Sequence, residues 1–225
     1  MQEWRDLTFL HWRVEPAALE AHLPEGLALD LHDGEAYLGV VPFMMRNIRP
    51  RWAVPVPGVS DFPEFNLRTY VVHGGRPGVF FLTLEAMSRI TCAYAPRAYG
   101  LPYRYARGRL DIEGDVHRWS TRRPDGSHAF SGTSVTQGRS RNAAPGTLEH
   151  FLFERYSLYT EHENELCIGF TQHDPWALTD ASATVAVNAL TEAFDLGIND
   201  LLVPDLVHRS PGVEVRSWDL EVVPR

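Results

Sequence analysis

Asn66-Leu67-Arg68-Thr69-Tyr70-Val71-Val72-His73 runs into Gly74-Gly75-Arg76-Pro77-Gly78, and Val79-Phe80-Phe81-Leu82-Thr83-Leu84-Glu85 runs out again. Both flanks are rich in β-branched and aromatic residues, and the middle is made of turn formers. The stretch therefore predicts a β-hairpin. Immediately upstream, Arg49 to Pro63 carries Pro50, Pro55, Pro57 and Pro63, which remove ladder donors, so a loop is expected there. Further back, Leu7 to Val14 reads as a strand and Pro16 starts a short helix that Pro24 and Gly26 end. Leu27 to Leu31 and Ala36 to Met44 read as two strands joined by a hairpin turn at Asp33-Gly34.

Downstream of the hairpin, Ser88 to Arg97 predicts a helix ended by Gly100-Leu101-Pro102. Tyr103 to Ile112, Val116 to Arg122 and Ser127 to Thr136 predict a meander, with turns at Gly114 and Pro124-Asp125-Gly126. Thr147 suits the N-cap of a short helix reaching Phe153. Arg155 to Thr160 and Leu166 to Gln172 predict a second hairpin around His162-Glu163-Asn164. Thr184 to Ala189 reads as a strand, Leu190 to Leu196 as a helical turn or two, and Val213 to Val223 as a last strand. Strands that follow one another with short helices between them argue for an α+β antiparallel barrel or sandwich, in one domain spanning residues 1–225.

Composition excludes several function classes. The formal net charge of −8 gives no basic footprint for nucleic acid. No apolar run approaches the length of about 20 residues that a membrane-spanning helix needs. Glu3, Arg5 and Asp6 interrupt the first residues, so no signal peptide is read and a cytoplasmic protein is expected. Cys92 and Cys167 stand alone in sequence and are expected as free thiols. All 21 basic residues are arginine and lysine is absent, which excludes a lysine Schiff base.

Familiar chemical motifs fail at a single position each. His162-Glu163 has Leu166 where a zinc-binding HExxH would place its second histidine. Gly132-Thr133-Ser134-Val135-Thr136 has threonine in place of the last glycine of a nucleophile elbow. The ten histidines are scattered without close pairs. No metal and no cofactor is expected.

Trp12-Arg13-Val14-Glu15-Pro16, Leu23-Pro24-Glu25-Gly26-Leu27, Val40-Val41-Pro42-Phe43, Phe62 to Tyr70, and Leu101-Pro102-Tyr103 form a distinctive series. Glu154-Arg155-Tyr156, Leu158-Tyr159-Thr160, His173-Asp174-Pro175-Trp176 and Leu206-Val207-His208 continue it. Over the whole chain this series resembles the YqjF-like family of bacterial proteins, which has no assigned activity. More remotely, the order of elements is similar to acetoacetate decarboxylase. That resemblance implies a conical antiparallel β-barrel with short helices packed around it and a ligand cavity inside. It also implies roles: a carboxylate-binding arginine at Arg5 and a site glutamate at Glu64. The enzyme's reactive lysine falls at Arg97, in Ala95-Pro96-Arg97-Ala98-Tyr99-Gly100-Leu101-Pro102, and its neighbouring lysine at Ala98. A guanidinium keeps its proton and forms no imine, so the resemblance extends to the fold and not to the covalent chemistry.

The candidate site is Glu64 as base, Arg97 or Arg5 as an electrophilic clamp, and Arg5, Arg68 and Tyr103 as ligand-binding residues. Arginine recognises a carboxylate with two parallel hydrogen bonds, and a glutamate among arginines suits proton abstraction. Each residue also has a structural reading. Arg5 suits pairing with Asp6, Glu64 pairing with Arg68, Arg97 the end of a helix, and Glu85 an i, i+4 pair with Arg89. Tyr70, Tyr94 and Tyr103 suit barrel lining. The expected partner is a small acidic or polar metabolite, transformed by non-covalent acid/base chemistry or bound without turnover. A homo-oligomeric scaffold is the third reading.

Overall fold

The computed structural model describes residues 1–49 and 60–224. In order, its elements are β1 (Gln2–Val14), α1 (Pro16–Glu20), β2 (Ala28–Leu29), β3 (Ala36–Arg46), β4 (Phe62–His73), β5 (Arg76–Ala86), α2 (Arg89–Tyr99), β6 (Tyr103–Tyr105) and β7 (Arg107–Glu113). They continue as β8 (Val116–Arg122), β9 (Phe130–Arg141), α3 (Leu148–Phe153), β10 (Ser157–His162), β11 (Glu165–Gln172), β12 (Leu178–Asn188), α4 (Ala189–Glu192), β13 (Leu206–Ser217) and β14 (Glu221–Val222). The expected proline loop, with Pro50, Pro55 and Pro57, lies outside the described residues, and Pro63 sits inside β4. Among the described residues no helix is long and apolar enough to cross a membrane.

Local chemistry sets several boundaries. Pro16 opens α1 and Thr147 caps α3 by accepting from the His150 N–H, both as expected, while Ser88, expected as the first helical residue, instead caps α2 by accepting from the Thr91 N–H. Gly100, at φ 61°, closes α2 in the left-handed conformation. The hairpin β10–β11 turns on Glu163 and Asn164, both at positive φ, as a tight two-residue turn requires.

Pairing departs from the sequence reading in places. The Asp33-Gly34 turn forms, but β2 pairs with β4 while β3 lies between β1 and β4. The expected strand from Tyr103 breaks at Ala106, because its first part runs parallel to β5 and its second pairs with β8. The last long strand starts at Leu206 rather than Val213, and β12 starts at Leu178 rather than Thr184, because both lie alongside partners the sequence does not reveal. The sheet is mostly antiparallel, yet β5 pairs in parallel with both β10 and β6, so it is mixed.

Neighbouring strands run β11, β10, β5, β4, β3, β1 and β13, and β13 returns to β11 through Thr171↔Ser217 and Gln172↔Arg216. The sheet therefore closes as a ring, and β12, β9, β8 and β7 continue from β13 as a flap. A strand's alternate residues face opposite sides, so ring closure creates one inner and one outer face. Phe9, Tyr37, Val41, Phe43, Phe62, Tyr70 and Leu84 share the inner core, where α3 inserts Leu152 and Phe153. Leu10, Trp12, Leu38, Val40, Phe65 and Leu67 face outward and pack with Trp119, Phe130 and Val185 of the flap.

One buried ion pair ties the flap's far loop to the ring. Glu85, fully buried on the outer face of β5, receives Arg123 Nη2 at 2.6 Å and Arg123 Nε at 3.0 Å, and Thr83 donates to it at 2.7 Å. This replaces the expected Glu85–Arg89 pair; Arg89 lies over the Tyr105 ring at 4.1 Å. Removing one partner of a buried pair strands the other's charge. Arg123→Ala should therefore cost about 3–5 kcal/mol in denaturant unfolding, and Arg123→Lys, which loses the fork, an intermediate amount.

Candidate functional site

β4 and β3 pair without slippage from Leu38↔Thr69 to Met45↔Phe62. With Phe62 and Tyr70 in the inner core, the two-residue period puts Glu64, Asn66 and Arg68 on the same inner face. Glu64 and Arg68 are four residues apart, or about 13 Å along the strand at about 3.3 Å per residue. Two polar groupings follow, one around each.

Glu64 is 3% exposed, and its Oε2 accepts the Tyr103 hydroxyl at 2.9 Å. No cation lies within ion-pair distance of it among the described residues. Burial pushes its carboxyl up from the ordinary 4.5 to about 8, and the Tyr103 hydrogen bond offsets only part of that rise. Near neutral pH this favours the protonated carboxyl, where a glutamate among arginines was expected to be ionised. Burial first, then the adjacent Glu64, raises Tyr103 well above the usual phenol value. Cys92 flanks the pair, and burial raises its thiol to about 11, which leaves it protonated and unreactive.

Arg68 anchors the second grouping. Its guanidinium carbon lies 5.6 Å from the Phe9 ring and 5.7 Å from the Tyr70 ring, and Nη2 donates to the Tyr70 hydroxyl at 3.4 Å. His11 Nε2 meets the same hydroxyl at 2.7 Å. Burial, then Arg68 and His208, hold His11 well below its ordinary value, so the ring is neutral. Arg68 Nε and His11 Nδ1 are buried without a hydrogen-bond partner among the described residues. Gly39, opposite both, makes this approach feasible: a Cβ there would stand 3.2 Å from the His11 ring and 3.5 Å from Arg68 Cγ.

The other expected residues do not join. Arg5 pairs with Met44 on the face opposite the inner-facing Trp4 and Met45, and its guanidinium binds Glu3 Oε2 at 2.8 Å rather than Asp6. Arg97 is exposed on α2 and donates to the Ala93 carbonyl of its own helix at 2.9 Å. Tyr94 is 60% exposed and lines nothing. Sequence reasoning brought Glu64, Arg68 and Tyr103 to one interior and missed His11, whose alternation with Phe9 was its only signal. Among the described residues no group of three or more His, Cys, Asp or Glu is placed to hold a metal.

The raised Glu64 carboxyl carries a pH signature. The folded state binds this proton more tightly than the unfolded chain, so its stability contribution is full below about 4.5 and is lost as pH rises to about 8. Glu64→Gln should remove that decline. The variant's unfolding midpoint should gain on the parent's progressively from pH 5 to pH 8, as read by denaturant titration at each pH; a constant difference would refute the assignment.

The chain was compared with known proteins. Residues 1–214 match the family model DUF2071, described as an uncharacterized conserved protein. The chain is 36% identical over 220 residues to the uncharacterized protein YqjF of Bacillus subtilis, covering 97% of this chain and 90% of that one. Among solved structures, an acetoacetate decarboxylase-like enzyme from Sphingomonas wittichii superposes with a TM-score of 0.67 at 17% identity, over 99% of this chain and 93% of that one. Acetoacetate decarboxylase from Legionella pneumophila gives 0.64 at 14% identity, over 99% and 87%. At such identities the two structures establish a shared fold. The sequence match is of another order, and the chain belongs to the DUF2071 family.

Proposed function

We propose that the ring interior binds a small metabolite carrying a carboxylate, with Arg68 as its fixed cation and Glu64 as a proton-bearing acid for non-covalent chemistry on it. The carrying observation is Arg68 itself. It is a partly buried guanidinium over two aromatic faces, with no carboxylate within ion-pair distance among the described residues. A cation withdrawn from water without a partner is costly, and a ligand anion would relieve that cost. Elsewhere, partly buried arginines find carboxylates: Arg123 has Glu85 and Arg155 has Asp30 at 2.5 Å.

Glu64 supplies the second half of the reading. A carboxyl that keeps its proton near neutral pH delivers it to a carbonyl oxygen or a developing carbanion. The resulting carboxylate retains the Tyr103 hydrogen bond. The fold's decarboxylase neighbours make an acid with a carbonyl function the first class to try. Covalent imine chemistry stays excluded by the absence of lysine.

A thermal-shift series with pyruvate, acetoacetate, succinate and a neutral amide control tests this. A ligand at about a hundredfold excess over its Kd stabilises by about 2.7 kcal/mol. Stabilisation by an acid should vanish in Arg68→Gln and persist in Glu64→Gln, whereas any turnover should be lost in both. If no acid stabilises the parent, or if Arg68→Gln responds as the parent does, Arg68 is not the anchor.

A further inference from the structure

We infer that β7 is a self-complementary edge through which two copies of this chain pair antiparallel, centred on Leu110. β7 ends the order of strands: one edge bonds to β8, and no strand among the described residues covers the other. An uncovered edge is a template for another strand, and natural edges commonly blunt it with like charges. β7 reads Arg107-Gly108-Arg109-Leu110-Asp111-Ile112-Glu113. Its two arginines precede Leu110 and its two acids follow, at mirrored distances.

Antiparallel pairing about a two-fold axis at Leu110 sets Arg107 opposite the partner subunit's Glu113, and Arg109 opposite the partner subunit's Asp111. All four lie on one face, because they alternate with Gly108, Leu110 and Ile112. Neighbouring registers keep only two opposite-charge pairs where this one has four, and each adds a like-charge pair. A shift of two residues one way sets Arg109 against the partner's Arg109, and the other way Asp111 against the partner's Asp111. Like charges directly opposed are destabilising, so the charge order favours the Leu110-centred register. Within one copy Arg109 already meets Asp111 at 2.5 Å and Arg118 meets Glu113 at 2.7 Å, and these exposed pairs would be exchanged for, or shared with, the cross-strand ones.

The opposite face gives an independent fit. Leu110 packs into the outer core, and Gly108 lies over the ring, where a Cβ would stand 3.3 Å from both Phe65 and Pro63. Ile112, two residues beyond Leu110, is 42% exposed. In the selected register it sits beside the partner subunit's Gly108, whose own face is closed by Phe65 and Pro63, so the isoleucine would pack along the edge of that contact, and the same neighbourhood occurs twice, as an isologous interface requires.

Sedimentation velocity of the full chain across micromolar concentrations tests the pairing. The parent should form dimers. Arg109→Asp, at a side chain already 75% exposed, should fold with an unchanged circular dichroism spectrum and weaken association by about tenfold or more. Arg109→Asp and Asp111→Arg made in separate chains break each chain's own Arg109–Asp111 pair, and the mixture should form heterodimers with opposite charges across the strands while neither variant pairs with itself. A parent that stays monomeric overturns the inference. So does dimerisation insensitive to Arg109→Asp, or a mixture of the two single variants that forms no heterodimer.

Discussion

Everything in this molecule's interior depends on the unbroken register between β3 and β4 inside a closed ring. Because pairing runs without a slip from Leu38↔Thr69 to Met45↔Phe62, β4 has one inner and one outer set of residues for its whole length. A slip of one residue would send Glu64 and Arg68 outward and bring Phe65 and Leu67 inward. The bulge in β4–β5 pairing, at Leu67/Arg68, is absorbed on β5 around Leu82, so β4 keeps its phase.

Two glutamates on adjacent strands show what that phase decides. Glu85, paired with Phe65, faces outward and meets the Arg123 fork. Glu64, paired with Ala86, faces inward and meets a phenol. The outer carboxylate has its counter-charge supplied by the flap. The inner one has none, and desolvation therefore keeps its proton in place. Arg68 is the reverse case, a cation that the ring interior leaves without an anion. The interior thus keeps a carboxyl and a guanidinium apart on one strand, where direct contact would have paired them as ions.

The shared fold with acetoacetate decarboxylases does not extend to their amine. Arg97, which the sequence resemblance matched to the reactive lysine, lies on the exposed side of α2, and its guanidinium turns back to the helix's own Ala93 carbonyl. The inner polar groups sit instead on strands: Glu64 and Arg68 on β4 and His11 on β1, with Tyr103 arriving from β6.

The sequence alone determined the strand-dominated architecture, the hairpins β4–β5 and β10–β11, the caps of α2 and α3, and the absence of lysine. These are local properties, readable because turn chemistry, capping and side-chain alternation act within a few residues. Glu64, Arg68 and Tyr103 were likewise legible as site candidates. Tertiary structure decided the rest. It sent Arg5 to the outer face to bind Glu3, left Arg97 in solvent, paired β2 with β4 rather than β3, and brought His11 to Tyr70 across 59 positions. It also buried Glu64 without a counter-charge, which raises its carboxyl. Those outcomes depend on which strands lie side by side and on how much water the closed ring excludes, and neither is encoded by any short stretch of residues.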